Sequence, residues 1–172
     1  MRWSYTANTQ TFTSTFTNST QTVGLSGLLW NATINYAILD EAQYNILNPF
    51  MMQLRGQAGR FYLSPAIYEN DLATGVTVTT ADKINITLST PVPGLKVSDY
   101  VSANDELKMI VAKADDSNYT VGHPFRATFA GIPIELNNPT VIMKLADDNY
   151  DMNFTPPLIQ NVSFSVVEAI SI

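Results

Sequence analysis

The segment from Leu39 to Pro65 constrains the fold most, because it carries the only sustained helical period in the chain. Ala42, Ile46, Phe50 and Leu54 recur at four-residue steps with Leu39, Leu47 and Met51 beside them, which directs one apolar stripe toward a core. The pattern predicts a helix at about 40–55 lying as a lid on a sheet. Asp40 can cap its start, and Glu41 adds negative charge at the positive end of the dipole. Gly56 stops it just after the cation Arg55. Pro49 removes a hydrogen bond and clashes with the preceding turn, so a kink is expected there, or two short helices parted at Asn48. Beyond Gly59 the run Arg60-Phe61-Tyr62-Leu63 has the composition of a strand, which Pro65 ends. The unit reads as helix, glycine turn, strand.

Almost everything else reads as strand. In residues 28–37, Trp30, Ala32, Ile34 and Tyr36 point one way, with Asn31, Thr33 and Asn35 opposite. Residues 8–23 alternate Thr with other residues, put Phe12 and Phe16 on one face and offer a turn at Asn18-Ser19. They form either a hairpin or an arm that finds its partner on a neighbouring subunit. Short β segments follow at 76–79, 84–88, 107–112 and 119–121, with residues 99–106 read as loop and Asp115-Asp116-Ser117-Asn118 as a turn. Residues 141–145 and 150–154 read as paired strands about an Asp147-Asp148-Asn149 turn, and 162–170 as the last strand. The expected organisation is a single domain, 1–172, with a core from about 1–66 and 140–172 and a small all-β insertion at about 67–139. At 172 residues such a chain can bury a sizeable core.

Composition narrows the function classes. A net charge of -6 with few Lys and Arg argues against a nucleic-acid surface built on phosphate neutralisation, though an acidic protein can surround a DNA passage without binding it. Without cysteine there is no disulfide framework and no thiolate chemistry, which suits synthesis in the cytoplasm. Neither a signal-peptide pattern nor a bilayer-length apolar run is present, so no membrane insertion is expected. His123, in Val-Gly-His-Pro, has no second histidine or cysteine to complete a zinc site or thiol dyad, and is read as a loop or packing residue. The acidic pairs Asp115-Asp116 and Asp147-Asp148 supply too few alternating oxygens for calcium and read as turns. Gly56 and Gly59 follow a helix rather than precede one, unlike a phosphate loop. The chain is therefore not expected to be an enzyme, and no catalytic residue, cofactor or metal is assigned. Arg55, Arg60, Phe61 and Tyr62 combine the residue types favoured at protein interfaces, and read either as a subunit contact or as a solvated corner.

Leu54-Arg55-Gly56-Gln57-Ala58-Gly59-Arg60-Phe61-Tyr62-Leu63, with the strand around Trp30 and the helix start Asp40-Glu41-Ala42, resembles a family of minor structural proteins of tailed bacteriophages, of the distal tail or tail-tip type. The likeness continues in Asn104-Asp105-Glu106-Leu107-Lys108, in the stretch from Met143 to Asp148 and in the stretch from Ser163 to Ala169. The resemblance implies a mainly β fold, a β-sandwich or split β-barrel of tail-tube type with one main α-helix. It further implies a virion protein made in the host cytoplasm and built into the tail. Its partners would be itself in a ring, a hexamer or alternatively a trimer, together with tail tube and tail hub or tip proteins. DNA would pass through the lumen without specific binding. The alternatives are a tail terminator or connector ring protein, or a carbohydrate-binding β module whose surface aromatics, such as Tyr5, Tyr68, Tyr100 and Tyr119, stack on sugar.

Overall fold

The computed structural model describes residues 1–24, 27–65, 70–149, 153–155 and 158–170. In chain order these form β1 (Arg2–Thr6), β2 (Thr9–Thr13), β3 (Thr20–Gly24), β4 (Leu29–Leu39) and α1 (Glu41–Leu54). A 3₁₀ turn (Gly56–Ala58) leads into β5 (Phe61–Leu63), followed by β6 (Thr77–Asp82), β7 (Asn85–Leu88), β8 (Tyr100–Ala103) and β9 (Glu106–Lys113). The chain continues through β10 (Asn118–Val121), β11 (Ile132–Glu135), β12 (Val141–Leu145), β13 (Asn153–Thr155) and β14 (Leu158–Glu168). The fold is mainly β with one α-helix among the described residues. No helix among them is long and apolar enough to cross a membrane.

Two compact units emerge. The first comprises Met1–Tyr5, Trp30–Ala66 and Ile142–Ile172, and the second Thr6–Leu29 and Ile67–Val141.

The first unit is a sheet in the order β1-β4-β14-β12-β5, with β13 also paired to β14. The long antiparallel pair β4–β14 sets its register, from Leu39 opposite Ile159 to Asn31 opposite Val167. Along β14, Val162, Phe164, Val166 and Glu168 are all buried, the period-two pattern of a sheet with one covered face. Trp30 packs against Trp3 and Tyr5, with ring centroids 5.9 and 6.0 Å away. Its backbone N–H donates to the buried Glu168 carboxylate at 3.0 Å. The expected strand at 150–154 lies partly outside the described residues. Its described end belongs to β13, which pairs with β14 rather than with β12.

The helix starts as its sequence predicts. Asp40 Oδ1 accepts from the Gln43 N–H at 2.7 Å while Gln43 Oε1 accepts from the Asp40 N–H at 3.2 Å, a reciprocal capping box. Two expectations are corrected. α1 runs unbroken through Pro49, so it is not two short helices parted at Asn48; the ring lies on the exposed face and the absent N–H removes a single hydrogen bond. The inward stripe is also rotated: Met51 and Leu54 are buried and Tyr44, Leu47 and Phe50 half-buried, whereas Ala42 and Ile46 are exposed. At roughly 100° per residue, four-residue steps drift by about 40° each, so a strict 42-46-50-54 row winds off the packed face. The row through 44, 47, 51 and 54 stays on it.

In the second unit, β10-β7-β6-β11-β8-β9 close into a barrel. Val78, Ala81, Ile86, Leu95, Val101, Ile110 and Val121 fill it. Residues 99–106, expected as loop, instead contain β8, which reverses directly into β9 through Asn104 and Asp105 at φ 53° and 60°. Two consecutive left-handed residues make the tight hairpin turn whose twist matches paired strands, and the polar residues that imitate a loop are those such a turn selects. The 115–118 turn is as expected. The Asp115 carboxylate accepts from the N–H groups of Ser117 and Asn118 and from the Asn118 side-chain amide, and that amide, followed by the Ser117 N–H, holds the carboxyl below its ordinary range.

Candidate functional site

The glycine corner after α1 is built by three devices. Arg55 closes the helix in the left-handed conformation at φ 51°, and Gly56 continues it at φ 66°. Gly59 then returns so close to the helix end that its N–H donates to the Leu54 carbonyl at 2.7 Å. From a segment distant in sequence, Asp148 Oδ1 accepts from the Gln57 N–H at 2.9 Å. Arg60 turns back on the corner: its Nη1 lies 2.8, 3.0 and 3.0 Å from the carbonyl oxygens of Gln57, Ala58 and Gly59. A guanidinium so placed satisfies carbonyls that a short 3₁₀ turn leaves without partners.

This separates the four candidate interface residues. Arg60 holds the corner's own backbone together. Arg55 is exposed, and its backbone supplies the helix stop. Phe61 meets Phe50 edge to face at 5.4 Å. Tyr62 is 65% exposed. Arg60→Ala is expected to lower stability by about 1 kcal/mol and Arg55→Ala by less than about 0.5, read from urea denaturation midpoints.

Phe61 and Tyr62 also line an apolar groove of about 420 Å³ between α1 and the sheet. Ile34 and Tyr36 enter it from β4, and Ile46 and Phe50 from α1. None of its lining residues carries a charge at neutral pH, and Gln43 brings one amide to it. Ile46 is 74% exposed at the groove, and Tyr36 is exposed there too. Sequence patterning points Ile46 and Tyr36 inward, and therefore misses them as groove residues. The overlooked signal is the row 44-47-51-54, which leaves Ile46 to one side.

The second unit holds a buried ionic cluster. Glu106 and Lys108, two apart on β9 and so on one face, are each 2% exposed, with Lys108 Nζ 2.7 Å from Glu106 Oε2. Lys108 donates to the Pro124 carbonyl at 2.9 Å and stands 4.9 Å from the Phe125 ring centroid. Glu106 also accepts from the Arg126 N–H at 3.1 Å. The half-buried His123 lies in the field of this cluster. Burial first, then the positive charges of Lys108 and Arg126, push its pKa down to about 3.

The pH consequence has a definite sign. Between pH 6.5 and 3 the unfolded chain binds a proton at His123 that the folded chain resists, so stability fully present above pH 6.5 is lost as pH falls. The ring's partial exposure limits the loss to no more than about 1 kcal/mol per pH unit. His123→Asn is expected to flatten this part of the slope, measured as denaturation midpoint against pH.

Among the described residues, no group of three or more His, Asp or Glu side chains could hold a metal ion. Asp147 and Asp148 both accept from backbone N–H groups: Asp147 from the neighbouring Asn149 at 2.9 Å and Asp148 from the distant Gln57. The aromatics considered for sugar stacking differ in exposure, Tyr5 being 60% exposed. Tyr119 is buried, its hydroxyl 2.9 Å from both the Val92 and the Asp116 carbonyl oxygens. Tyr5 packs edge-on against Trp30, Tyr100 is half-buried, and Tyr68 lies outside the described residues. No protein-family model matches the chain, and a search of curated proteins finds no match.

Proposed function

We propose that this chain is a structural subunit of a tailed-bacteriophage virion, a distal tail ring or tail-tip protein that joins the tail tube to the tip complex and assembles with copies of itself. The observation that carries this reading is the groove: an uncharged apolar concavity beside exposed Tyr36, Ile46 and Tyr62, adjoining a corner fixed by Asp148 and Arg60. Rigid apolar patches containing aromatics are what stable subunit contacts are made from. The likeness of the 54–63 block to distal tail proteins names the assembly. Repeating one head-to-tail contact whose rotation closes gives a ring, and the family likeness favours a hexamer, with a trimer as the alternative. Tail tube and tip proteins would cover its two faces, and the acidic chain would leave DNA free to pass.

Light scattering on the purified full chain tests the reading, with Tyr62→Asp as the paired variant. Self-association is expected, and the variant should weaken it about tenfold or more with little change in melting temperature. A chain that stays monomeric at high concentration and binds immobilised glycans would instead support the carbohydrate-binding alternative.

A further inference from the structure

The hairpin β2–β3 is a ribbon with an unusual tip. Its register runs from Thr9 opposite Gly24 to Thr13 opposite Thr20, and its described side chains are exposed along both strands. The tip, 14–19, is nonetheless well built. The Ser14 N–H donates to the Ser19 carbonyl at 2.9 Å and the Asn18 N–H to the Ser14 carbonyl at 3.0 Å. The Ser14 hydroxyl accepts from the N–H groups of Phe16 and Thr17 at 3.3 Å, and Asn18 takes the left-handed conformation at φ 52°. This ordered turn holds Phe16 98% exposed, and Phe12 follows at 53%.

An isolated two-stranded hairpin is marginal in water, and a fixed turn that puts an aromatic ring wholly into solvent has the form of an anchor awaiting a pocket. The groove in the first unit is a pocket of matching chemistry. It is apolar, of a size that accepts aromatic side chains, and lined by aromatics. Charge matches as well: residues 3–39, which include the whole hairpin and β4, contain no Asp, Glu, Lys, Arg or His, so docking ribbon on groove strands no ion away from water.

We propose that the β2–β3 hairpin of one copy seats Phe16 in the groove bordered by Tyr36, Ile46 and Tyr62 of a second copy. The inference rests on the self-assembling reading above and names its contact. Hairpin and groove are different surfaces of the same chain, so the contact is head-to-tail and each copy gives one anchor and receives one. Phe16 supplies the buried centre, while Phe12 and the threonine ribbon extend the contact toward the area a stable interface needs.

The test places a photoreactive benzoylphenylalanine at position 16 of the full chain, mixes unlabelled with ¹⁵N-labelled protein, irradiates, and maps the crosslinked peptides. The expected result is crosslinks to peptides carrying Tyr36, Ile46 or Tyr62, with mixed-isotope pairs showing that they join two copies. Phe16→Ser should weaken self-association about tenfold or more at unchanged melting temperature, since the ring touches no core. Crosslinks confined to one chain would overturn the inference. Assembly by light scattering with crosslinks elsewhere would also overturn it while leaving the ring reading standing. A protein that never self-associates, alone or co-expressed with neighbouring tail proteins, would overturn both.

Discussion

Glu106→Ala is expected to cost about 3–5 kcal/mol of stability, a large share of the roughly 5–15 kcal/mol that holds an ordinary domain folded. The reason is the residue left behind. Lys108 is 2% exposed, its ammonium 2.7 Å from the Glu106 carboxylate, and it also donates to the neutral Pro124 carbonyl. Removing the carboxylate takes away the opposite charge that balances a buried ammonium, and it also removes the oxygens that accept from the Arg126 N–H. The pair itself need not be strongly stabilising, because removing two ions from water offsets most of their attraction. The double replacement Glu106→Leu with Lys108→Met should therefore recover most of the loss. Urea denaturation of the wild type, the single variant and the double variant checks both statements. Equal destabilisation by the single and double changes would mean that the cluster's shape, rather than its charge, holds this end of the barrel.

Gly59→Ala is the second large effect, about 3 kcal/mol, and it acts on the corner that carries the groove. A β-carbon at Gly59 would lie 2.6 Å from both the Cα and the carbonyl oxygen of Leu54. These are backbone atoms at the end of a packed helix, so the turn must open rather than a side chain step aside. Opening it breaks the hydrogen bond from the Gly59 N–H to Leu54 and shifts β5, and with it Phe61 and Tyr62. Gly59→Ala should thus lower the melting temperature and weaken self-association together, whereas Tyr62→Asp affects self-association alone. Gly56→Ala strikes a softer neighbour. Its β-carbon would collide with the Asp148 carboxylate, which can swing away only by giving up the Gln57 N–H, and it also forces a side chain to a positive φ.

What could be read in the sequence was local. The mainly β character, the strand through Trp30, the capped start of α1 and the helix–glycine turn–strand unit each depend on residues within a few positions, and periodicity and caps record them. What was hidden is non-local or rests on residues with two uses. The bond from Gln57 to Asp148 spans 91 positions, and nothing around Asp148 distinguishes it from an ordinary turn acid. Glu106 has a loop residue's composition but opens β9 with its carboxylate buried, because its partner Lys108 stands two places further along the same strand. The short β11 contains Pro133, which argues against a strand by composition, though the strand forms between β6 and β8. For the candidate site, the sequence identified Phe61 and Tyr62 but not the groove, since a concavity belongs to the helix and sheet jointly.

The central claim is self-assembly into a closed ring, and electron microscopy of the full-length chain tests it most directly, alone and co-expressed with the products of neighbouring genes. The account predicts rings of one uniform size, with a central opening, that are lost in Phe16→Ser and in Tyr62→Asp. Uniformly monomeric particles under both conditions would contradict it.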